Sequence, residues 1–191
     1  MKRGFKAAAR RLAQEVREEL GLDDAAPFEP EAWAELYGIP LVGLQELPCS
    51  EKARRHLLGP ASAKWSAALI PNGNGQVIVY NSDHAPVRVR SDISHEAGHV
   101  LLEHPNVVNV MGRQGCGNLA HDLEDQANEV AGELLLPMNA AHRLARRQVS
   151  DQEAALMYRI SREMARWRLN STGARLAAQR QLDASRRFRG A

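Results

Sequence analysis

Residues 91–104 read SDISHEAGHVLLEH and contain the pattern H-E-x-x-H, formed by His95, Glu96 and His99. On an α-helix, residues four positions apart are neighbours on one face, so the two imidazoles would converge on one point. Glu96 would lie about 100° around the helix axis, close enough to contact a water molecule bound to a metal ion there. The pattern predicts one Zn²⁺ held by the two histidines, with Glu96 as general base. The alternative is a pair of histidines that only cap or pack a helix.

This chemistry requires the segment to be helical, and its flanks favour a helix. Pro86 interrupts what comes before, Ser91 and Asp92 suit an N-cap and a first turn, and Pro105 ends the pattern. The face away from the histidines carries an apolar stripe: Ala97, Val100 and Leu101. We therefore expect a metal-binding helix that begins near residue 91.

A hydrolytic zinc site needs a third protein ligand and one open position. Leu102 and Pro105 stand where a metzincin would have glycine and histidine, which excludes that class. His104 is nine residues after His95 and would lie on the opposite side of a continuing helix, so we expect it to be a surface histidine. The next predicted helix, EDQANEVAGELLLP, contains Glu124, which we expect to be the third ligand.

Other polar residues of that helix have alternative roles. Asn128 lies one turn after the expected ligand and could hydrogen-bond a metal-binding imidazole, as such sites usually require. Glu129 is the main rival for the position of third ligand. His121, Asp122 and Asp125 are expected to be solvated charges.

The elements around the site can be read from periodicity and turn residues. An amphipathic helix is predicted over residues 5–20, a short helix over 30–38, a strand over 39–44, an irregular segment over 45–62 and a helix over 122–136. Residues 63–70 and 76–80 flank PNGNG and predict a hairpin. Because residues 76–81 lead into the metal-binding helix, we expect this segment to be the sheet edge to which a substrate peptide adds as a strand. Tyr80, His84 and His121 are candidates to stabilise an oxyanion or contact substrate.

Composition places the chain among ordinary soluble proteins. Its 191 residues are 44% hydrophobic and 25% charged, which suits one domain, or one domain with an appendage. No apolar run approaches the ~20 residues of a membrane span, and the basic start of the chain lacks the apolar run of a signal peptide. We therefore expect a cytoplasmic protein with no membrane partner. Cys49 and Cys116 are the only cysteines, and their spacing excludes a disulfide framework.

Positive charge is concentrated at the carboxyl end. Residues 141–191 contain 12 arginines and four acidic residues, a net charge of +8, whereas the whole chain carries +2. Residues 150–173 can be read as helix, turn and helix, with Ser150 and Glu153 as a capping box. A DNA-binding helix-turn-helix usually has glycine in its turn, where this chain has Arg159, and Met164 and Trp167 of the second helix are expected in the core.

The carboxyl end leaves alternative functions open. A DNA-binding regulator is one, but we expect any binding to nucleic acid to be non-specific and strongly salt-dependent. A zinc-stabilised binding module without turnover is another. The simplest expectation is that residues 141–191 form a basic helical extension packed on a domain of residues 1–140, or dock an acidic partner.

The order of several motifs resembles the ImmA/IrrE-type metallopeptidases over about residues 4–170. These motifs are LGL (20–22), IPLVGL (39–44), VIVYN (77–81), HEAGHVLLEH (95–104) and E-x-x-A-N-x-x-A-x-E-L-L-L-P (124–137). One departure is Val130, where an aromatic residue is common in that family.

The resemblance implies an α+β, zincin-like fold related to the gluzincins, with a small mixed or antiparallel sheet, the H-E-x-x-H helix and a following glutamate-bearing helix. Carried over residue by residue, it implies zinc held by His95, His99 and Glu124, with Glu96 as catalytic base. It further implies a protein substrate, typically a transcriptional repressor or another regulator of the helix-turn-helix type.

Overall fold

The computed structural model describes residues 3–48, 50–52, 55, 65–105 and 117–189, with only the backbone given for 117–120 and 188–189. Its helices are α1 (Phe5–Glu19), α2 (Pro30–Leu36), α3 (Pro86–Leu101), α4 (Gly117–Leu135), α5 (Met138–Arg146), α6 (Asp151–Tyr158), α7 (Arg162–Ser171) and α8 (Ala174–Arg189). Its strands are β1 (Leu41–Gly43), β2 (Ala67–Asn72) and β3 (Gly75–Tyr80). The predicted α+β class is confirmed. Both cysteines, most of the predicted irregular segment 45–62 and the start of the first hairpin strand lie outside the described residues.

The three strands form a mixed sheet in the order β1–β3–β2. β3 is parallel to β1 and antiparallel to β2, so its residues 78–80, which lead towards α3, are paired on both sides. The expectation that residues 76–81 form an open sheet edge is therefore wrong, because β1, from far earlier in the chain, occupies the second side of β3. Among the described strands, β1 and β2 are the two edge strands of the sheet, and β2 packs against α3.

The ladder between β2 and β3 fixes which backbone groups of β2 face outward. The N–H of Asn81 donates to the carbonyl of Ser66 at 2.7 Å, so residues 66, 68, 70 and 72 face β3. Ala67, Leu69 and Pro71 therefore direct their backbone groups away from β3. Proline suits such an outer strand because it has no N–H to donate.

The predicted metal-binding helix, α3, begins earlier than its sequence suggested. Pro86 is at the first helical turn, where its missing N–H is tolerated, so it starts the helix instead of interrupting the chain before it. Ser91 and Asp92 are consequently inside the helix and are not its N-cap, and the Ser91 hydroxyl donates to the carbonyl of Val87 at 3.2 Å. α3 packs most closely on α4, and α1 covers α4 from another side.

The carboxyl-terminal helices α6 and α7 have the predicted capping box, but their buried residues differ from those predicted. The predicted capping box is present: Ser150 Oγ accepts from the N–H of Glu153 at 3.2 Å, and the Glu153 carboxylate accepts from the N–H of Ser150 at 2.9 Å. Arg159 takes the left-handed conformation (φ 52°) at the turn. The expectation that Trp167 is a core residue is wrong, since it is 39% exposed, whereas the neighbouring Arg168 is fully buried.

No helix in the described part of the chain is long and apolar enough to cross a membrane.

Candidate metal centre

The structure brings the side chains of His95, His99 and Glu124 together. The two Nε2 atoms are 3.2 Å apart, and the Glu124 carboxylate oxygens lie 3.1 Å from His95 Nε2 and 3.5 Å from His99 Nε2. A tetrahedral zinc ion with bonds of about 2.1 Å places its ligand atoms about 3.4 Å apart. The donor types and their spacing thus fit a zinc ion. They form the one such group of histidine, cysteine and carboxylate side chains among the described residues.

One side of this group is open to solvent. The side chain of His99 is buried, but those of His95 and Glu124 are 23% and 45% exposed. A hydrolytic site needs a coordination position that water and substrate can reach, whereas structural zinc sites are usually closed by four protein ligands. The partial exposure of His95 and Glu124 therefore leaves the ligand group accessible to water, as a hydrolytic site requires.

The ring of His95 is oriented by Asn128, the residue that the sequence suggested for this purpose. Asn128 Oδ1 lies 3.0 Å from His95 Nδ1. If Nε2 of His95 binds a metal, Nδ1 carries the proton and donates it to this amide oxygen. Glu124 and Asn128, one turn apart on α4, therefore both face His95.

The expectation that His104 is a surface histidine is wrong. His104 is only 8% exposed, and its Nδ1 lies 3.0 Å from Nδ1 of His99. α3 ends at Leu101, and Glu103 takes a left-handed conformation (φ 51°). The N–H of His104 then donates to the carbonyl of His99 at 3.0 Å, a Schellman motif that folds the chain back onto the helix. A helical projection past residue 101 therefore placed His104 on the wrong side.

Close packing of α3 on α4 makes the site possible. A Cβ atom at Gly98 would lie 2.7 Å from the carbonyl oxygen of Ala127 and 3.0 Å from its Cα. Such contacts leave no room for a side chain, so glycine is required for this approach of the two helices. The signal was present in the sequence as a glycine inside a helix, which is otherwise about 1 kcal/mol less favourable than alanine.

The protonation preferences of His99 and Glu124 suit metal binding, whereas that of His95 opposes it. Burial, reinforced by the neighbouring His95, lowers the pKa of His99 to about 4, so its ring is neutral at neutral pH and one of its nitrogens has a lone pair for a metal. A hydrogen bond with His95 lowers the pKa of Glu124, which stays ionised. Burial lowers the pKa of His95, but contacts with Glu124, Glu96 and Asn128 outweigh it and raise that pKa overall.

Glu96 is half-buried next to the ligand group and is anchored to the outer strand of the sheet. Its carboxylate accepts a hydrogen bond from the backbone N–H of Leu69 on β2. Burial raises its pKa; the positive charge of His95 opposes this shift and the negative charge of Glu124 reinforces it. A carboxylate with a raised pKa is a better proton acceptor at neutral pH, which is what general base catalysis requires. The sequence carried no signal for the contact with Leu69, because strand and helix meet only in the folded chain.

Glu129, the alternative candidate for third ligand, does not face the two histidines. The side chain of Glu129 is almost fully buried and pairs with Arg168 at 3.2 Å and with Lys6 at 3.5 Å. It lies on α4 one residue after Asn128, about 100° around the helix from it, and so faces α7 and not the two histidines.

The three candidates for oxyanion or substrate contact are dispersed. His84 Nδ1 lies 3.5 Å from the Asp92 carboxylate in a largely buried position. His121 pairs with Asp125 at 3.3 Å on the exposed surface of α4. Tyr80 is half-buried and packs against the hydrophobic core. None is a member of the ligand group, and their roles stay predictions.

Much of the chain matches the model of a known protein family. The model of a peptidase family, described as the IrrE N-terminal-like domain, matches residues 51–170, more than half of the chain. The match includes β2, β3, α3 and α4, and it continues past the boundary predicted at residue 140. A search of curated proteins gave no match.

Proposed function

Since the chain belongs to the IrrE N-terminal-like family of peptidases, we propose that it is a zinc-dependent endopeptidase that cleaves peptide bonds in a cytoplasmic protein. The observation that carries this proposal is the spacing of 3.1–3.5 Å among the donor atoms of His95, His99 and Glu124. In this proposal one zinc ion is bound per chain, in an arrangement similar to that of the gluzincins.

The side chains around the ligand group have distinct chemical tasks. Zinc, when bound, supplies Lewis acidity that makes a water molecule more acidic and polarises a carbonyl group. Glu96 accepts the proton of the attacking water and passes it to the leaving amine, so the amide is hydrolysed without a covalent enzyme intermediate. Asn128 and His104 hold the two imidazoles in the required tautomer and orientation.

The outer edge of β2 is suited to hold an extended substrate. Ala67 and Leu69 direct backbone groups outward, and Leu69 already contacts the proposed base Glu96. A peptide that adds to this edge would be held by backbone hydrogen bonds, independently of its sequence, beside the attacking group. This is the substrate-binding mode that we proposed from the sequence, transferred from β3 to β2.

The proposed substrate is a transcriptional repressor or another regulator of the helix-turn-helix type. Support for this proposal comes only from the resemblance of the motifs to the ImmA/IrrE-type metallopeptidases. The alternative of a zinc-stabilised module without turnover is less favoured, because the solvent-exposed side of the ligand group at Glu124 leaves space for water and substrate.

Metal analysis tests the ligand set. Zinc content and affinity should be compared for the wild-type chain, Glu124→Ala and Asp125→Ala. Both carboxylates are on α4 and about equally exposed, but Glu124 contacts His95 and His99 whereas Asp125 pairs with His121 on the surface. Glu124→Ala should lose most zinc affinity and Asp125→Ala should keep it. Equal retention by both variants would disprove the ligand assignment.

Glu96→Gln tests the mechanism. Glutamine keeps the shape of the side chain but is not a base, so this variant should retain zinc and lose cleavage by about two to four orders of magnitude. Used as a trap, it should also retain from cell extract the protein that the wild type cleaves. Undiminished cleavage by Glu96→Gln would exclude the proposed base.

A further inference from the structure

A cavity of about 490 Å³ lies between the metal-binding helix α3 and helix α7. Its lining residues are Arg88, Ser91, Ser161, Glu163, Met164 and Trp167. Its volume is in the range of sites that bind small organic groups. Trp167 is 39% exposed and lines the cavity together with Met164, so the cavity has an apolar wall that solvent can reach.

The Trp167 indole is fixed by contacts with α4 and with the neighbouring Arg168. A Cβ atom at Gly132 of α4 would lie 2.8 Å from Cζ3 of Trp167, so the indole packs directly on the α4 backbone. The guanidinium carbon of Arg168 lies 5.5 Å from the ring centroid. Arg168 is itself fully buried and fixed by Glu129 at 3.2 Å and Glu133 at 2.7 Å. The exposed ring is thus a fixed apolar wall, and little conformational entropy would be lost when a ligand packs on it.

The cavity adjoins the metal centre along both metal-bearing helices. Ser91 precedes His95 by four residues, and Gly132 follows Asn128 by four residues. Each of these steps is one helical turn, about 5.4 Å, on the same face. The cavity and the ligand group therefore lie on one continuous surface formed by α3 and α4.

The outer strand β2 leads from the catalytic base to the same cavity. Leu69 contacts Glu96, and Ser66, three residues earlier, accepts a hydrogen bond from Arg88 at 2.8 Å. Three residues of extended chain span about 10 Å, and the eight residues of α3 from Arg88 to Glu96 span about 12 Å. A peptide extended along β2 would therefore bring a side chain to the cavity two or three residues away from the scissile bond.

We propose that this cavity is a specificity subsite for a large apolar side chain of the peptide substrate, such as leucine, methionine or phenylalanine. The proposal rests on the proposed peptidase function. Its walls are Trp167 and Met164, and the peptide reaches it by pairing with β2. A nucleic-acid phosphate is a poor occupant, because Glu163 is a lining residue and the cations at and near the cavity have partners already: Arg88 donates to Ser66 at 2.8 Å and Arg166 pairs with Asp151 at 3.0 Å.

Two measurements on a peptide mixture of random sequence test the subsite. In the first, zinc-loaded wild-type protein digests the mixture and the cleavage sites are read by mass spectrometry. In the second, the zinc-loaded Glu96→Gln variant selects binding peptides without cleaving them. The cleaved peptides should show at least about tenfold enrichment of large apolar residues at one position, two or three residues from the cleaved bond. The peptides bound by Glu96→Gln, once aligned with the cleaved ones, should show the same enrichment at the same position.

Substitutions of Trp167 test whether this residue causes the preference for large apolar side chains. Trp167→Ala should lose the enrichment and raise KM for peptides with an apolar residue there, with zinc content unchanged. Trp167→Phe should recover part of the preference. Leu156→Ala serves as the matched control, because Leu156 is an apolar residue of α6 that is 70% exposed and does not line the cavity.

The outcomes separate the two proposals. Cleavage without a positional preference, or a preference that survives Trp167→Ala, would overturn the subsite and leave the peptidase. Binding selectivity that depends on Trp167 without any cleavage would overturn the peptidase and leave the subsite. Absence of both cleavage and selective binding would overturn both.

Discussion

At the scale of single residues, His99 is fixed from both sides of its ring. Nε2 faces His95 and Glu124, and Nδ1 contacts Nδ1 of His104 at 3.0 Å. A metal-binding Nε2 requires the proton on Nδ1, which then donates to His104. His104 in turn hydrogen-bonds Gln126 of α4. The orientation of His99 is therefore set by a buried chain of contacts that joins the end of α3 to α4.

His104 should accordingly be a positioning residue of the metal centre. His104→Ala removes the acceptor for Nδ1–H of His99 and leaves a buried donor without a partner, so zinc affinity should fall about 10- to 100-fold. Competition against a chelating zinc indicator measures this effect without any need for turnover. His104→Gln, which offers an amide oxygen as acceptor, should recover part of the loss.

The control for this experiment is His121→Ala, which removes a histidine from the exposed surface of α4. Its zinc affinity should equal that of the wild type. If His104→Ala also bound zinc like the wild type, the contact with His99 would have no part in holding the metal.

At the scale of elements, local sequence signals predicted that the helices and the hairpin exist, but not where α3 begins or that β3 pairs with β1. The hairpin and the helices followed from turn residues and periodicity, which depend on neighbours in sequence. The position of β3 inside the sheet depends on its pairing with β1, more than 30 residues earlier, and no local pattern contains that information. The close approach of His95 and His99 could be predicted because their spacing is set by one helix. The contacts of His104 and Leu69 with the site could not, because they form after a helix end and between strand and helix.

The close approach of α3 and α4 gives a test at this scale. In an isolated helix Gly98→Ala would be stabilising by about 1 kcal/mol. Here the added methyl group meets the backbone of Ala127 at 2.7 Å, so the helices must separate. We expect destabilisation by about 1–3 kcal/mol in urea unfolding, together with weaker zinc binding, since Glu124 and Asn128 move away from the histidines.

Gly75→Ala is the matched control, because a Cβ atom at that position meets only an ordinary contact at 3.7 Å. It should leave zinc affinity unchanged. Wild-type stability and zinc affinity in Gly98→Ala would show that the helices do not need this glycine.

At the scale of the whole molecule, much of the positive charge at the carboxyl end is used internally. Among the arginines of residues 141–191 whose side chains the structure describes, five pair with carboxylates: Arg143, Arg159, Arg166, Arg168 and Arg175. The partners of the first two are on the amino-terminal part of the chain. Arg168 is fully buried and has no access to a phosphate backbone. These contacts agree with a packing role for the segment, and the expected weak, salt-dependent binding to DNA stays a prediction.

Arg168 should make the carboxyl-terminal helices part of the same cooperative unit as the metal centre. It joins α7 to Glu129 and Glu133 of α4, whose preceding turns carry Glu124 and Asn128. Arg168→Met keeps the apolar length of the side chain but leaves two buried carboxylates without their main partner. Since Lys6 reaches only Glu129, and at 3.5 Å, we expect a loss of about 3–5 kcal/mol.

Arg166→Met is the matched control, because Arg166 is on the same helix and is 53% exposed in its ion pair with Asp151, which keeps Arg175 as a second partner. Such pairs contribute at most about 1 kcal/mol. Urea unfolding followed by circular dichroism, and zinc release followed in the same titration, should shift together in Arg168→Met and barely move in Arg166→Met. If zinc release kept its wild-type midpoint while only part of the helical signal was lost early, α7 and α8 would form a separate unit, and the buried ion pair would not support the metal-bearing helix.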